Sequence, residues 1–252
     1  MRAPGPLGGA IAAMLASAAA HAQTVAAPTA ASASPAPYGS PVNDEQVWAH
    51  LVVDQLEARI ARGDTGLRWQ AQAWAGPDEW RIWLKSEGEA TRHGVEDGQQ
   101  EAYFSKPVST YWDVQAGGRY DLDSRPGRAW AAIGVEGLAP RFFNVDATAY
   151  AGQKGLAGKL EVSYDQLITN RLVLQPKAEL NLYGQNDPAR LVGAGVSDLD
   201  AGLRLRYEIT RKFAPYVGVT WEQGFGRTAD LMRRAGRGAG AVRFTVGLAT
   251  WM

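Results

Sequence analysis

The sequence contains no cysteine, only three histidines and only four methionines. The lack of cysteine excludes structural disulfides and thiolate metal sites. The 26 acidic residues balance the 26 basic ones, so no net charge points to nucleic acid as a partner. After the first 22 residues, no segment offers about 18 uninterrupted apolar residues, which is the length that a transmembrane helix needs. We therefore expect no such helix.

The first 46 residues are expected to precede the folded domain. Arg2 supplies a positive start, Leu7–Ala20 is apolar, and Ala20-His21-Ala22 has the small-x-small form that signal peptidase cuts. Residues 23–46 are rich in Ala, Pro and Ser, a composition that buries too little apolar surface to offset its ordering entropy. We expect a signal peptide over 1–22, a flexible periplasmic tether over 23–46 and a folded domain over 47–252.

The folded domain is predicted to be all-β. From Trp48 onward, about ten residues of apolar/polar alternation recur between turn residues, and alternation of this kind indicates strands because successive side chains point to opposite faces. The many glycines and aromatic residues are typical of β architectures, including membrane barrels. Twelve strands are predicted, at 48–58, 67–75, 79–87, 95–106, 111–123, 128–138, 142–150, 159–165, 171–182, 198–209, 213–223 and 241–251.

The predicted connections alternate between short and long. Short turns are expected near 76–78, 107, 139–141, 169–170 and 211–212, and longer ones at 59–66, 86–94, 123–127, 151–156, 184–196 and 224–240. An even strand count with short periplasmic turns opposite longer external loops is typical of bacterial outer-membrane barrels. We therefore predict a twelve-stranded antiparallel transmembrane β-barrel of the Gram-negative outer membrane. A soluble barrel or sandwich is the alternative, because alternation does not say which face is outside.

In a membrane barrel, the charged face of each strand points into the lumen. The predicted lumenal charges are Asp113, Arg119, Asp121, Asp146, Lys159, Glu161, Asp165, Lys177, Glu179, Asp198, Asp200, Arg204, Arg206 and Glu208. Their mixed signs favour a cross-strand ionic network that fills the lumen. The alternative is a cation path lined by Asp113, Asp121, Asp146, Asp198 and Asp200.

Several stretches, colinear over about 47–251, resemble one known family. They are Asp54–Glu57, Trp83–Gly88, Tyr111–Gly117, Gly137–Pro140, Leu174–Gly184, Gly202–Ile209, Phe213–Tyr216 and Thr228–Asp230. On these residues the chain resembles the copper resistance protein B (CopB) family. The resemblance implies an outer-membrane barrel that contributes to copper resistance and homeostasis, with copper as the bound ion. Family members typically carry a Met- and His-rich segment before the barrel, whereas residues 23–46 contain neither residue.

Few residues are candidates for copper ligands. His50 on the first strand and His93 near an external loop are weak candidates, with Asp54 or Glu96 as a nearby carboxylate. Met232, in the longest predicted loop, is a third. Because a metal site needs three or four converging ligands, isolated residues of this kind are ordinarily surface, lumen or loop residues.

The remaining expectations concern partners and alternatives. The loop 224–240 carries Arg227, Arg233, Arg234 and Arg237, which either pair with lipopolysaccharide phosphates or are simply solvated. We expect a protein that is not an enzyme and that binds or helps pass copper across the outer membrane. Expected partners are outer-membrane lipids and a periplasmic multicopper oxidase. The alternatives are a structural or channel barrel without copper handling and a lipid-modifying enzyme, although no G-x-S-x-G context is present.

Overall fold

The computed structural model describes residues 46–61, 64–92, 94–122 and 127–252. The predicted signal peptide and nearly all of the predicted tether lie outside these residues. The strands and one helix are β1 Trp48–Ala61, β2 Asp64–Gly76, β3 Arg81–Thr91, β4 Gly94–Ser109, β5 Trp112–Asp121, β6 Arg128–Ala139, β7 Phe143–Gly152, β8 Gly155–Ser163, β9 Gln166–Leu167, β10 Leu172–Tyr183, β11 Gly195–Tyr207, β12 Phe213–Gly224, α1 Gly226–Arg234 and β13 Gly240–Trp251. Single 3₁₀ turns lie at Pro140–Phe142 and Pro188–Arg190.

The strands form one closed antiparallel sheet. Each strand pairs with its neighbour in sequence, and β1 closes the ring on β13 with Val52 opposite Trp251 and Ile60 opposite Phe244. The two-residue β9 pairs with β10, as β8 does, so β8 and β9 share one position in the wall. The wall therefore has twelve strands, and the predicted strand count and antiparallel barrel are confirmed.

The orientation of the two faces excludes the soluble alternative. Large apolar side chains point outward, with Ile133 61% and Phe244 67% exposed. Charged side chains point inward, with Glu57 0% and Arg59 1% exposed. A soluble barrel buries its apolar face instead. An apolar exterior around a charged interior is the arrangement that a bilayer requires.

Three of the predicted long loops are wrong. Two residues separate β1 from β2, β3 from β4 and β7 from β8, where the sequence predicts loops at 59–66, 86–94 and 151–156. The strands continue to tight hairpins, and Gly155 opens β8 at φ 91°, a backbone conformation that glycine adopts without strain. Longer connections are present at 122–127, 184–194 and 225–239, so three of the six predicted long loops are confirmed and the regular alternation of loop lengths is not.

No helix among the described residues has both the length and the apolar composition needed to cross a membrane.

Candidate functional site: a carboxylate-lined cavity in the lumen

A β-bulge in the first strand aligns polar side chains with the lumen. The pairing of β1 with β2 shifts between Val53 and Gln55, which leaves Asp54 as an extra residue. An extra residue lets side chains on both sides of it face the same way. Asp54 and Gln55 both line the lumen as a result, and Gln72 of β2 donates a hydrogen bond to Asp54 at 3.0 Å.

A cavity of about 550 Å³ occupies the half of the lumen where β1 begins and β13 ends. Seven carboxylates and four cationic side chains line it, together with amides and hydroxyls. The carboxylates are Asp54, Glu87, Glu101, Glu136, Asp146, Glu161 and Asp165, and the cations are Lys85, Lys159, Lys177 and Arg206. The excess of carboxylates makes the cavity attractive to cations.

The cations in the cavity reach carboxylates on other strands. Lys85 of β3 lies 2.8 Å from Glu136 of β6 and 2.7 Å from Asp146 of β7. Lys177 lies 2.9 Å from Glu161. These contacts confirm that much of the predicted charged face forms a cross-strand ionic network, and they fix side chains that would otherwise repel one another.

Beyond the cavity the lumen narrows to a buried charged cluster. Both oxygens of Glu57 accept hydrogen bonds from Arg204, at 2.9 and 3.0 Å, and Arg59 and the hydroxyl of Tyr216 also donate to this carboxylate. Arg59 extends to Asp200 at 2.6 Å. The space left beside these side chains is about 10 Å³, which is close to the minimum that holds one water molecule. This charged cluster is a constriction.

Two connections pack together at the opposite end of the barrel. Thr228 of α1 contacts the hydroxyl of Ser197 at 2.9 Å and accepts a hydrogen bond from the backbone of Gly193 at 2.8 Å. A Cβ atom on Gly193 would lie 2.5 Å from Arg227, so helix and loop approach as closely as glycine allows. The helix exposes Arg227, Arg233 and Arg234.

The candidate copper ligands are not brought together. His50 lies at the cavity end, with its ring 5.9 Å from Trp74 and 5.5 Å from Trp251. Met232 lies on α1, at the other end of the twelve-residue β13, a distance of about 35 Å at the usual rise per strand residue. His93 and the side chain of Glu96 lie outside the described residues.

Sequence reasoning missed the lumenal charges of β1 to β4 and of β6. Glu57, Arg59, Arg68, Lys85 and Glu136 face the lumen, but none was among the predicted lumenal charges. The same alternation that revealed the later strands could have found them, since Glu57 and Arg59 are two residues apart, as are Lys85 and Glu87.

One group of acidic residues has the spacing of a metal site. Carboxylate oxygens of Glu87, Glu161 and Glu179 lie within 4.8 Å of one another. Each is paired with a cation, since Lys159 lies 2.5 Å from Glu87 and Arg68 lies 3.0 Å from Glu179. The group is therefore part of the ionic network.

The fold and the lumen together define a membrane β-barrel with a charged, largely filled lumen. Among solved structures, the NanC porin is similar, with a TM-score of 0.53, 15% identity and coverage of 79% of this chain and 98% of the porin. That likeness supports the barrel fold alone.

The sequence comparisons give the family. The profile described as "Copper resistance protein B precursor (CopB)" matches residues 47–252. The "Copper resistance protein B homolog" of Pseudomonas syringae pv. tomato is 44% identical over 84% of this chain and 73% of that protein. "Copper resistance protein B" of Escherichia coli is 40% identical over 84% of this chain and 72% of its own length. The chain belongs to the copper resistance protein B family, and family and fold together point to the outer membrane.

The cavity suits one oxidation state of copper better than the other. Its donors are carboxylate, amide and hydroxyl oxygens, and neither imidazole nor thioether is among the lining residues. Oxygen ligands suit divalent ions, and Cu(II) binds most tightly among the first-row divalent metals. Cu(I) favours sulfur ligands. The described donors of the cavity are therefore of the type that Cu(II) accepts rather than the type that Cu(I) favours.

Proposed function

We propose that this protein contributes to copper resistance by binding Cu(II) in the lumenal cavity of an outer-membrane barrel. The observation that carries the proposal is the excess of seven carboxylates over four cations around one cavity. Family membership supports copper as the cargo. The chemistry of the donors supports the divalent ion.

The cavity is proposed to face the periplasm. It lies where the barrel begins and ends, with the backbone of Leu51 donating to Met252 at 3.0 Å. The two longest connections, 184–194 and 225–239, lie at the other end. In outer-membrane barrels the longer loops are external and the short turns periplasmic. A periplasmic opening would intercept copper before it reaches targets in that compartment.

Binding is favoured over free passage because the lumen narrows above the cavity. The space lined by Arg59, Asp200 and Arg204 is about 10 Å³, whereas a hydrated divalent ion needs room for several waters. Copper that enters from the cavity end would therefore be retained there. A rival function, a channel without copper handling, requires this cluster to open.

A periplasmic multicopper oxidase is a fitting partner. Such an enzyme removes an electron from Cu(I), and the product, Cu(II), is the ion that the oxygen donors of the cavity favour. Lipids of the outer membrane are the second proposed partner, because the outward face is apolar along the strands.

The test is Cu(II) titration of the purified chain refolded in detergent, followed by calorimetry and electron paramagnetic resonance. Glu136→Gln should weaken Cu(II) binding by about tenfold or more, as loss of groups around a metal commonly does. Glu222→Gln is the matched control, because Glu222 is also lumenal and 28% exposed, as Glu136 is, but lies outside the cavity lining. The resonance spectrum should lack nitrogen hyperfine splitting.

Three results would contradict the proposal. Cu(II) binding no tighter than that of an unrelated barrel would remove copper binding as the function. Equal loss in Glu136→Gln and Glu222→Gln would place the ion elsewhere. Nitrogen splitting that disappears in His50→Ala would move the site from the carboxylates to the histidine.

A further inference from the structure

Seven carboxylates stand at the same register on seven neighbouring strands, β5 to β12, with β8 and β9 counted as one. Each is directly opposite the next across the sheet. We call this set the carboxylate ladder; it runs Asp113, Glu136, Asp146, Glu161, Glu179, Asp200, Glu222. Five of its members line either the cavity or the constriction. Glu136, Asp146 and Glu161 line the cavity, and Glu179 and Asp200 line the constriction.

The ladder climbs the lumen wall from one end to the other. Asp113 is the second residue of β5, at the cavity end, and Glu222 is the third residue from the end of β12, near α1. Six steps of about 4.8 Å between strands tilted by about 40° raise the line by about 18 Å along the barrel axis. Most of the apolar thickness of an outer membrane is therefore spanned by carboxylates at strand-to-strand spacing.

Cations from β1 to β3 cover much of the ladder. Arg59 of β1 lies 2.6 Å from Asp200 and 2.7 Å from Glu222. Arg68 of β2 lies 3.0 Å from Glu179. Lys85 of β3 covers two of the lower members, Glu136 and Asp146. The ladder itself is of one sign, and cations of β1 to β3 contact five of its seven members.

A line of carboxylates directly opposite one another is costly for a lumen that is only filled. Like charges directly opposite one another on a sheet destabilise it, whereas alternating signs on adjacent strands stabilise it. An uninterrupted line of one sign is instead what selective ion pathways use, because rings and rows of carboxylates replace the hydration of a passing cation.

Two buried hydroxyls at the constriction lack partners. The hydroxyl oxygens of Thr220 and Thr245 are buried and make no hydrogen bond within the described part of the chain. Thr245 is directly opposite Arg59 on the neighbouring strand, so both side chains face the lumen. Buried polar atoms are nearly always paired, and an unpaired one calls for water or an ion. The Thr245 hydroxyl, beside Arg59 in the sheet, is therefore a further oxygen ligand available at the constriction.

We propose that the carboxylate ladder is a cation pathway through the barrel and that Arg59 and Arg68 close it as tethered counter-ions. While the two guanidiniums are paired with Glu179, Asp200 and Glu222, no free cation binds these carboxylates. Displacement of these side chains frees Glu179 and Asp200, the two ladder members that line the constriction. The pathway does not depend on copper as the cargo, so its test uses potassium ions.

The experiment is single-channel recording in planar bilayers under a KCl gradient, with the full chain refolded in detergent. The test variant is Arg59→Gln with Arg68→Gln, and the control is Arg119→Gln, which removes a buried lumenal cation that pairs with Asp121 rather than with the ladder. Folding of every variant is checked by the heat-sensitive mobility of the barrel in gels. The double variant should conduct at least about tenfold more than the wild type and select K⁺ over Cl⁻, as a carboxylate-lined pore does.

A second set of variants separates a pathway from a leak. Adding Glu179→Gln and Asp200→Asn to the double variant should keep the conductance but remove the selectivity, seen as a reversal potential near zero. A folded double variant that conducts no more than Arg119→Gln would overturn the proposal. So would a pore whose selectivity is unchanged when the two ladder carboxylates are neutralised. If the double variant does not fold, Arg68→Gln alone is tested, because it leaves Arg59 paired with Asp200. This variant should give a smaller rise in conductance with the same selectivity for K⁺. No rise in conductance would overturn the proposal.

Discussion

Neutralising Glu57 should destabilise the barrel more than any exposed substitution. This carboxylate is fully buried and accepts hydrogen bonds from Arg59, Arg204 and Tyr216 at 2.8 to 3.0 Å. In Glu57→Gln the volume is kept but the negative charge is lost. Arg59 retains Asp200, whereas Arg204 keeps the amide oxygen of Gln55 at 3.3 Å and the face of the Tyr216 ring.

The expected loss follows from the buried cation left behind. Removing one partner of a buried ion pair costs about 3–5 kcal/mol, because the other charge stays desolvated. Arg204 is 2% exposed, so solvent cannot replace the lost carboxylate. Glu57→Gln should therefore lower the free energy of unfolding by about 3–5 kcal/mol. Glu57→Gln with Arg204→Gln should be more stable than the single variant, because the orphaned charge is gone.

The measurement is equilibrium urea unfolding in phospholipid vesicles, followed by the fluorescence of the nine tryptophans. Asp230→Asn is the control, since its pair with Arg233 is exposed on α1 and such pairs contribute at most about 1 kcal/mol. A Glu57→Gln loss no larger than that of the control would refute the reasoning. A double variant less stable than the single one would show that the cost does not come from the unpaired guanidinium.

Three further predictions concern the wall and the candidate ligands. Ile133→Arg places a charge at the middle of an outward-facing strand and should cost about 2–4 kcal/mol in vesicles; an unchanged unfolding midpoint would argue against lipid contact there. Gly117→Ala should lower the free energy of unfolding by about 1–3 kcal/mol by overpacking, because its Cβ would lie 1.9 Å from the carbonyl oxygen of Ala102. A stability equal to that of the wild type in the same urea assay would show that the strands can separate. His50→Ala and Met232→Leu should each leave the Cu(II) dissociation constant unchanged within a factor of about two. A tenfold change would correspond to about 1.4 kcal/mol. Calorimetry that shows a change of that size in either variant would restore that residue as a ligand.

The alternating pattern predicted the strands and their faces because both depend on local geometry. In β5, Gln115, Arg119 and Asp121 are buried while Tyr120 and Leu122 are exposed, as a period of two requires. Three connections were predicted too long because charged and glycine-rich segments resemble loops, although they continue as strands to two-residue hairpins. Strand ends near the membrane surface contain few apolar residues, so the alternating pattern does not locate the ends of the strands.

Contacts across the lumen could not be predicted from the pattern. Arg59 and Asp200 are 141 residues apart, and their contact depends on the closure and stagger of the whole barrel. The bulge at Asp54 is a second obstacle. It lets Val52 and Gln55 both line the lumen, which a strict period of two forbids. Alternation tells which face a side chain occupies, but not which side chain it meets.

The ionic network that stabilises the barrel also sets how copper would bind in the proposed cavity. A Cu(II) ion that binds Glu136 and Asp146 has to displace the ammonium group of Lys85, which lies within 2.8 Å of both. The displaced ammonium group remains in the same cavity and repels the ion. Affinity is therefore lower than a preformed set of free ligands would give, and the cavity fills only when copper is abundant. This is the concentration range in which a resistance protein is needed, so the proposed site would buffer an excess without competing for trace copper.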